Sequence, residues 1–207
     1  MHFMEKKNKK KKKNEKKHRH KLVVAGNHDG ALAVLGKEHA RRLLSSCTYL
    51  QDETVSWHDC SFFCLFLFLF LLSLLLFLTY LLLQVKIGGL RIHASPLSSG
   101  HSGNAAFQGQ GGYDEVAAVE AIPPGLDVLI THGPAGSGKS ALGRASQLLE
   151  ERRRQACPRV HVFGHYHLGY GVRIEGCGAL VNASSADALF AVTNPPVVID
   201  IAPFCDR

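Results

Sequence analysis

Residues 160–167, Val-His-Val-Phe-Gly-His-Tyr-His, decide the fold of this chain and point to its site. Val160–Phe163 is a short apolar run that predicts a β-strand, and Gly164 allows the backbone to turn where that strand ends. In an extended segment, residues i and i+2 project to the same side, so His165 and His167 are expected to face one metal centre. Imidazole is a common metal ligand in proteins, and the stretch therefore predicts a metal site at a strand end.

Two further clusters have the same form. Residues 26–29, Gly-Asn-His-Asp, follow the predicted strand Lys21–Ala25, and residues 131–134, Thr-His-Gly-Pro, follow the predicted strand Leu126–Ile130. A sheet can hold such side chains rigidly, and the glycines let the backbone turn without crowding an ion. Each cluster alone is also typical of an ordinary turn or a solvated strand end. The prediction of a shared site therefore depends on all three clusters occurring in this order.

The ordered set resembles the calcineurin-like metallophosphoesterase superfamily. The segments 168–171 (Leu-Gly-Tyr-Gly), 182–184 (Asn-Ala-Ser) and 193–196 (Thr-Asn-Pro-Pro) resemble, more narrowly, its metallophosphoesterase domain-containing subgroup, which is related to class III nucleotide cyclic phosphodiesterases. The resemblance implies an α/β fold: a metallophosphoesterase-type β-sandwich of two sheets flanked by helices, here incomplete at the N-terminus. The alternation of strands and helices early in the chain, with strands clustering late, is consistent with a layered α/β fold.

The resemblance also implies roles for five residues. Asn27, His132 and His165 would bind one divalent metal ion, His167 would bind a second, and His28 would aid the leaving group. The family centre is dinuclear, and mixed nitrogen and oxygen ligands suit Mn²⁺, Fe or Zn²⁺. The implied activity is metal-dependent hydrolysis of a small phosphomonoester or phosphodiester, with a nucleotide, including a cyclic nucleotide, as one candidate.

The family pattern contains two more motifs, an Asp-x-His and a Gly-Asp whose Asp bridges both metals. Neither precedes Gly26 in this sequence. Since a two-metal mechanism uses both ions, the sequence predicts a weak or inactive hydrolase as written, an N-terminally truncated form of the family pattern.

An alternative function overlaps the second cluster. Residues 133–140, Gly-Pro-Ala-Gly-Ser-Gly-Lys-Ser, fit the P-loop pattern G-x-x-x-x-G-K-[ST], and they lie between a predicted strand and the predicted helix Ala141–Gln155. Residues 197–200, Val-Val-Ile-Asp, which lie in the predicted strand Val197–Ile201, could pass for a Walker B strand. A P-loop NTPase is thus the second hypothesis. It explains neither the first cluster nor the third, so the metallophosphoesterase interpretation is preferred.

The N-terminal residues 1–20 form a Lys-rich tail that we expect to be disordered, because like charges repel and apolar residues do not recur. Residues 1–21 carry a net charge of +9 against +7 for the whole chain, which leaves −2 for the rest. The basic pI is therefore no argument for nucleic-acid binding by the fold. A nuclear location would follow only if the tail belongs to the protein.

The segment 55–84 is a hydrophobic insert that divides the predicted phosphoesterase domain into 21–54 and 85–207. Its Leu- and Phe-rich part, 61–83, is long enough for a transmembrane helix. A single span would put Asn27 and His132 on opposite sides of a membrane, where they could not share a metal. Because its codons can be pyrimidine-rich and flanked by splice-like sequence, we interpret the insert as a retained intron. The alternative is a non-catalytic, membrane-associated protein.

The remaining patterns complete the expectations. The six cysteines show no disulfide or metal spacing and indicate reduced thiols, so we expect a cytoplasmic protein whose partner is a small phosphoester. The other predicted elements are the helices Ala31–Ser46 and Tyr113–Ala121 and the strands Cys47–Leu50, Leu90–Ala94, Val172–Glu175 and Ala179–Asn182.

Overall fold

The structure, a computed structural model, describes residues 20–56, 89–98, 103–136 and 144–202. Within these ranges the chain forms strands and helices in a mixed α/β arrangement. The strands are β1 (Leu22–Val23), β2 (Thr48–Tyr49), β3 (Glu53–Ser56), β4 (Arg91–Ser95), β5 (Val128–Thr131), β6 (Val160–Phe163), β7 (Gly171–Glu175) and β8 (Gly178–Asn182). The helices are α1 (Gly30–Leu35), α2 (Lys37–Leu43), α3 (Glu115–Glu120) and α4 (Arg144–Ala156), with 3₁₀ turns at Gly109–Gly111 and His167–Gly169.

The larger sheet has the strand order β3-β4-β5-β6-β8-β7. Strands β4, β5, β6 and β8 are parallel, while β3 and β7 run antiparallel to their neighbours at the two ends of the sheet. Because parallel strands all end on the same side, their carboxyl ends form one edge of the sheet, here called the carboxyl edge. Ser95, Thr131, Phe163 and Asn182 are the last residues at this edge. Arg91, Val128, Val160 and Gly178 begin the same strands at the opposite, amino edge.

A second, two-stranded sheet carries the first cluster. Strands β1 and β2 pair in parallel, with Leu22 opposite Thr48 and Val23 opposite Tyr49. The backbone N–H of Leu50 also donates to the carbonyl of Val23 at 2.9 Å. This pairing fixes the direction in which the chain leaves β1, and so it fixes where residues 26–29 begin.

Two apolar clusters pack the helices onto the sheets. The larger one joins α3 and α4 to β5 through the buried side chains of Leu97, Val119, Ile122, Leu126, Leu129, Ala145, Leu149 and Ala156. The smaller one packs α2 against β1 and β2 through Ala25, Ala40, Tyr49 and Phe107. The hydrophobic effect thus holds both sheets to helices close to the strand ends that carry the three clusters.

Most predicted elements are confirmed within one or two residues, and β6 matches its predicted bounds. Two predictions are wrong. The helix expected over Ala31–Ser46 is two helices, since Gly36 adopts a φ of 76° and interrupts the i→i−4 bonding. The strand expected at Val197–Ile201 is irregular, with no bonded partner strand in the described part of the sheet.

Several predictions lie outside the described residues: the tail up to residue 19, residues 57–84 of the insert, and 137–140 of the P-loop pattern. Val55 and Ser56, the first two residues of the proposed insert, belong to β3. In the described ranges, none of the helices combines the length and apolarity needed to cross a membrane. Cys47, Cys157 and Cys177 are free thiols.

Candidate metal and phosphate site

A cavity of about 840 Å³ opens at the carboxyl edge. It is lined by all five residues predicted from the sequence: Asn27, His28, His132, His165 and His167. They come from three segments, and the first and the last of these are more than 100 residues apart in the sequence. The fold therefore brings the three clusters to one place, as expected if they form a single site.

The first cluster is a tight turn closed by Asp29. The Asp29 carboxylate accepts a hydrogen bond from the Gly26 N–H at 2.8 Å, and the Asp29 N–H donates to the Gly26 carbonyl at 2.9 Å. This turn buries Asn27, which is 3% exposed, and leaves His28 exposed at the cavity. A β-carbon at Gly26 would overlap the imidazole of His132, so only glycine lets the turn approach the second cluster this closely.

Asn27 meets His132 inside the cavity. The Nε2 of His132 lies 2.9 Å from the amide oxygen Oδ1 of Asn27. The His165 ring lies 5.0 Å from the His132 ring, centroid to centroid. An amide oxygen and two imidazoles from three different segments thus converge within a few ångströms.

Burial disfavours the charged form of both converging imidazoles. Burial, followed by the repulsion expected from charged His165, His28 and His167, lowers the pKa of His132 to about 4. Burial and the neighbouring His167 and His28 also lower the pKa of His165. A neutral imidazole keeps a lone pair for a cation, so binding here requires no proton release from a charged ring.

The third cluster differs from its predicted geometry. The Tyr166 N–H donates to the Gly164 carbonyl at 2.6 Å, and His165 between them has a φ of 65°, which describes a γ-turn. His167 then begins a 3₁₀ turn. The expectation of an extended segment is therefore wrong, because the chain must reverse at the strand end. Both side chains nevertheless line the cavity.

The two outer histidines have partners on other loops. The Nε2 of His28 lies 3.3 Å from the Nδ2 of Asn104. The Nδ1 of His167 lies 3.1 Å from the carbonyl oxygen of Asp187, and its ring meets the Phe190 ring edge-on at a centroid distance of 4.9 Å. Each of these imidazoles is therefore held in a defined orientation at the cavity wall.

The donor atoms present suit one divalent cation, and none of them carries a charge of its own. The Oδ1 of Asn27 and the Nε2 of His132 are close enough to reach the same ion with bonds of about 2 Å, and the His165 ring is their neighbour. In the described ranges, no group of three or more His, Cys, Asp or Glu side chains is arranged to hold a metal. The candidate ligands are therefore an amide oxygen and two imidazoles.

Four residues at the site escaped the sequence-based prediction. Asn104 and Phe190 line the cavity, Asp187 holds His167, and Asn182 donates from Nδ2 to the Tyr166 carbonyl at 2.6 Å. Asn182 carried a usable signal, since it ends a parallel strand next to β6. Asn104, Asp187 and Phe190 lie in loops and carried none.

Comparison with known proteins gives relatives but no matching family model. The chain is 29% identical to metallophosphoesterase domain-containing protein 1 of Homo sapiens over 212 residues, which cover 89% of this chain and 56% of the relative. It is also 29% identical to a UPF0046 protein of Caenorhabditis elegans over 207 residues, covering 89% of this chain and 62% of that protein. The chain therefore spans a little more than half the length of these curated relatives.

Proposed function

We propose, on the premise of the metallophosphoesterase-type family that these relatives support, that the cavity at the carboxyl edge is a metal-dependent phosphoesterase site. Its substrate would be a small phosphomonoester or phosphodiester, with a nucleotide as one candidate. The observation that carries the proposal is the 2.9 Å contact between Asn27 and His132 beside the His165 ring. Nothing in an ordinary turn requires a buried asparagine and two neutral imidazoles to converge.

Asn27, His132 and His165 would hold one divalent cation, with Mn²⁺, Fe or Zn²⁺ as candidates, and His167 would contribute to a second. A cation bound there would supply Lewis acidity and positive charge for a phosphate group. The protein groups do the positioning. Gly26 allows the first turn to approach His132, and burial keeps His132 and His165 unprotonated and ready to bind.

His28 is the residue we assign to the leaving group. It is exposed at the cavity, where a departing oxygen can reach it. With the Asn104 amide donating, the Nε2 of His28 accepts, which leaves Nδ1 as the protonated nitrogen. An N–H at that atom would donate a hydrogen bond to the departing oxygen and stabilise its developing charge.

The activity we propose is low. All three donors to the first cation are uncharged, and affinity for hard divalent cations rises with the number of charged ligands. This agrees with the expectation of a weak or inactive hydrolase that the sequence gives. We also propose that the two sheets belong to the two layers of a metallophosphoesterase-type β-sandwich, and that the protein acts in the cytoplasm.

The test combines cation binding with catalysis. Calorimetric titration with Mn²⁺ should show His165→Ala lowering affinity by about tenfold or more, while the exposed His39→Ala on α2 leaves it unchanged. Hydrolysis of bis-p-nitrophenyl phosphate with Mn²⁺ should fall in His165→Ala and persist in Lys139→Ala. Equal Mn²⁺ affinity in the His165 and His39 variants would refute the proposal.

The P-loop alternative has less support. The pattern does lie between β5 and α4, as predicted. However, two backbone N–H groups of the loop, at Gly133 and Gly136, already donate to Leu97 and Ser146 carbonyls, and the expected Walker B strand is irregular. ATP binding that is lost in Lys139→Ala but kept in His165→Ala would reverse this ranking.

A further inference from the structure

Phe190 stands at the cavity in an unusual backbone conformation. Its φ is 61°, in the left-handed region that bulky residues avoid, and its side chain is 76% exposed while lining the cavity. A phenyl ring gains nothing by remaining in water, and the left-handed conformation costs about 1 kcal/mol or more. A conformation that is unfavourable on both counts calls for a functional explanation.

The turn that presents Phe190 is clamped by Asp187. The Asp187 Oδ1 accepts from the backbone N–H groups of Leu189 and Ala191 at 2.9 and 3.0 Å, and its Oδ2 accepts from the Thr193 hydroxyl at 3.1 Å. The bridge between Ala186 and Val192 closes the base of the turn. The exposed ring is therefore carried by a turn whose backbone is held by hydrogen bonds.

The same turn is joined to the candidate ligands. The Asp187 carbonyl contacts Nδ1 of His167, and the Phe190 ring meets the His167 ring. His167, His165 and His132 line the same cavity. A group bound at the converging donors would thus share a cavity with the exposed phenyl surface.

We infer that Phe190 is a specificity-determining residue that stacks with a planar aromatic group carried by the phosphoester. The inference rests on the proposed function, since it assumes that the phosphoryl group binds at Asn27, His132 and His165. Polar phosphate recognition and apolar stacking would then act on the two ends of one ligand. Phosphoesters with an aromatic substituent would bind better than compact aliphatic ones.

Two stable phosphonates measure separately what the phosphoryl group and the aromatic group contribute to binding. Calorimetric titrations in Mn²⁺ should give phenylphosphonate an affinity about 3- to 10-fold above that of methylphosphonate, the range for one aromatic pair. Phe190→Ala should remove this preference by weakening phenylphosphonate binding alone, and Phe190→Trp should keep it. The matched control is Leu189→Ala: Leu189 lies in the same turn and is 87% exposed, but it does not line the cavity.

The outcomes distinguish this inference from the function it rests on. Equal binding of the two phosphonates to the unaltered chain, or equal losses of both in Phe190→Ala, would overturn the stacking role and leave the phosphoesterase proposal standing. Failure of both phosphonates to bind, together with unchanged Mn²⁺ affinity in His165→Ala, would overturn both.

Discussion

The two edges of the parallel strands differ in the charge of the side chains that meet there. At the amino edge, Asp127 accepts from the Arg91 backbone N–H at 2.8 Å and from the Arg159 guanidinium at 3.2 Å, which ties together the starts of β4, β5 and β6. At the carboxyl edge of the same strands, Asn27, His132 and His165 converge without charge. One edge pairs its charges within the protein, and the other keeps neutral donors facing a cavity.

This difference separates stability from binding. A buried carboxylate bonded to two strands stabilises the sheet but is closed to a ligand from solvent. Neutral donors held by burial contribute less to stability and remain available to a cation. Changes at the amino edge should therefore alter the free energy of unfolding, and changes at the carboxyl edge should alter binding.

Lowering the pH should give the largest effect. Burial lowers the pKa of His93 in β4 to about 4 and that of His161 in β6 to about 3, below the unfolded value of about 6.5. The unfolded chain then binds protons that the native chain does not bind. The contribution to the free energy of unfolding is therefore fully present above about pH 6.5 and is lost as the pH falls towards these values. Each of the two imidazoles should lower the free energy of unfolding by about 2 kcal/mol at pH 5. Urea unfolding at pH 7.5, 6 and 5 measures the loss.

His93→Gln is the matched variant for the acid loss. Glutamine can still bond the Thr54 hydroxyl that His93 contacts at 2.9 Å, but it does not titrate. The variant should lose less stability on acidification than the unaltered chain. An unfolding free energy that stays constant from pH 7.5 to 5 would contradict the neutral state of both buried imidazoles.

Asp127→Ala should have the next largest effect. It removes the carboxylate that accepts from both the Arg91 N–H and the Arg159 guanidinium, which should cost about 2 to 3 kcal/mol. Mn²⁺ affinity of the folded protein should not change. The control is Asp114→Ala, which removes the N-cap of α3 and should cost about 1 kcal/mol. A Mn²⁺ affinity that falls with Asp127→Ala would mean that the two edges are coupled.

Gly26→Ala should act at the opposite edge. Its β-carbon would push against the His132 ring, which should cost about 1 to 3 kcal/mol and separate His132 from Asn27. Mn²⁺ affinity should therefore fall together with stability. Gly30→Ala, where a β-carbon meets nothing within 4 Å, is the control and should leave both unchanged or slightly improve stability.

Asn182→Ala should give a smaller effect at the carboxyl edge. It removes the bond to the Tyr166 carbonyl that holds the γ-turn of His165, at a cost of about 1 to 2 kcal/mol. Mn²⁺ binding should weaken because His165 loses its fixed direction. Asn194→Ala, which instead frees the carbonyls of Ser184 and Ala186, should spare Mn²⁺ affinity. A larger loss of Mn²⁺ affinity in Asn194→Ala than in Asn182→Ala would contradict this assignment.

Deletion of residues 55–84 should have the smallest effect, because the insert enters at the amino edge of β4. The observed pairing sets Thr54 opposite His93 and Val55 opposite Ile92. In the deletion variant Val85 would replace Val55 opposite Ile92, Ile87 would face Leu90, and Gly88-Gly89 would form a two-residue hairpin turn. We expect unchanged Mn²⁺ affinity and cooperative unfolding. Loss of folding on deletion, or a mature transcript that encodes the insert, would refute the retained-intron interpretation.

Local patterns predicted most strands, and the family resemblance indicated the five candidate site residues. The short, mostly apolar run Val160–Phe163 gave a strand with correct bounds, since buried parallel strands are mostly apolar. The longer run Ala31–Ser46 failed, because one glycine at a left-handed φ interrupts a helix that apolar spacing alone would continue. Val197–Ile201 failed because strand propensity requires a partner strand, and propensity alone does not supply one.

The sequence by itself determined which residues would meet, since strand-end positions in an α/β chain converge at one edge. Only the tertiary structure decided how they meet: the γ-turn at His165, the burial that neutralises His132, and the loops that place Asn104, Asp187 and Phe190. The physical reason is that a strand is set by neighbours along the chain. Burial, backbone strain and loop contacts depend on segments that are distant in sequence.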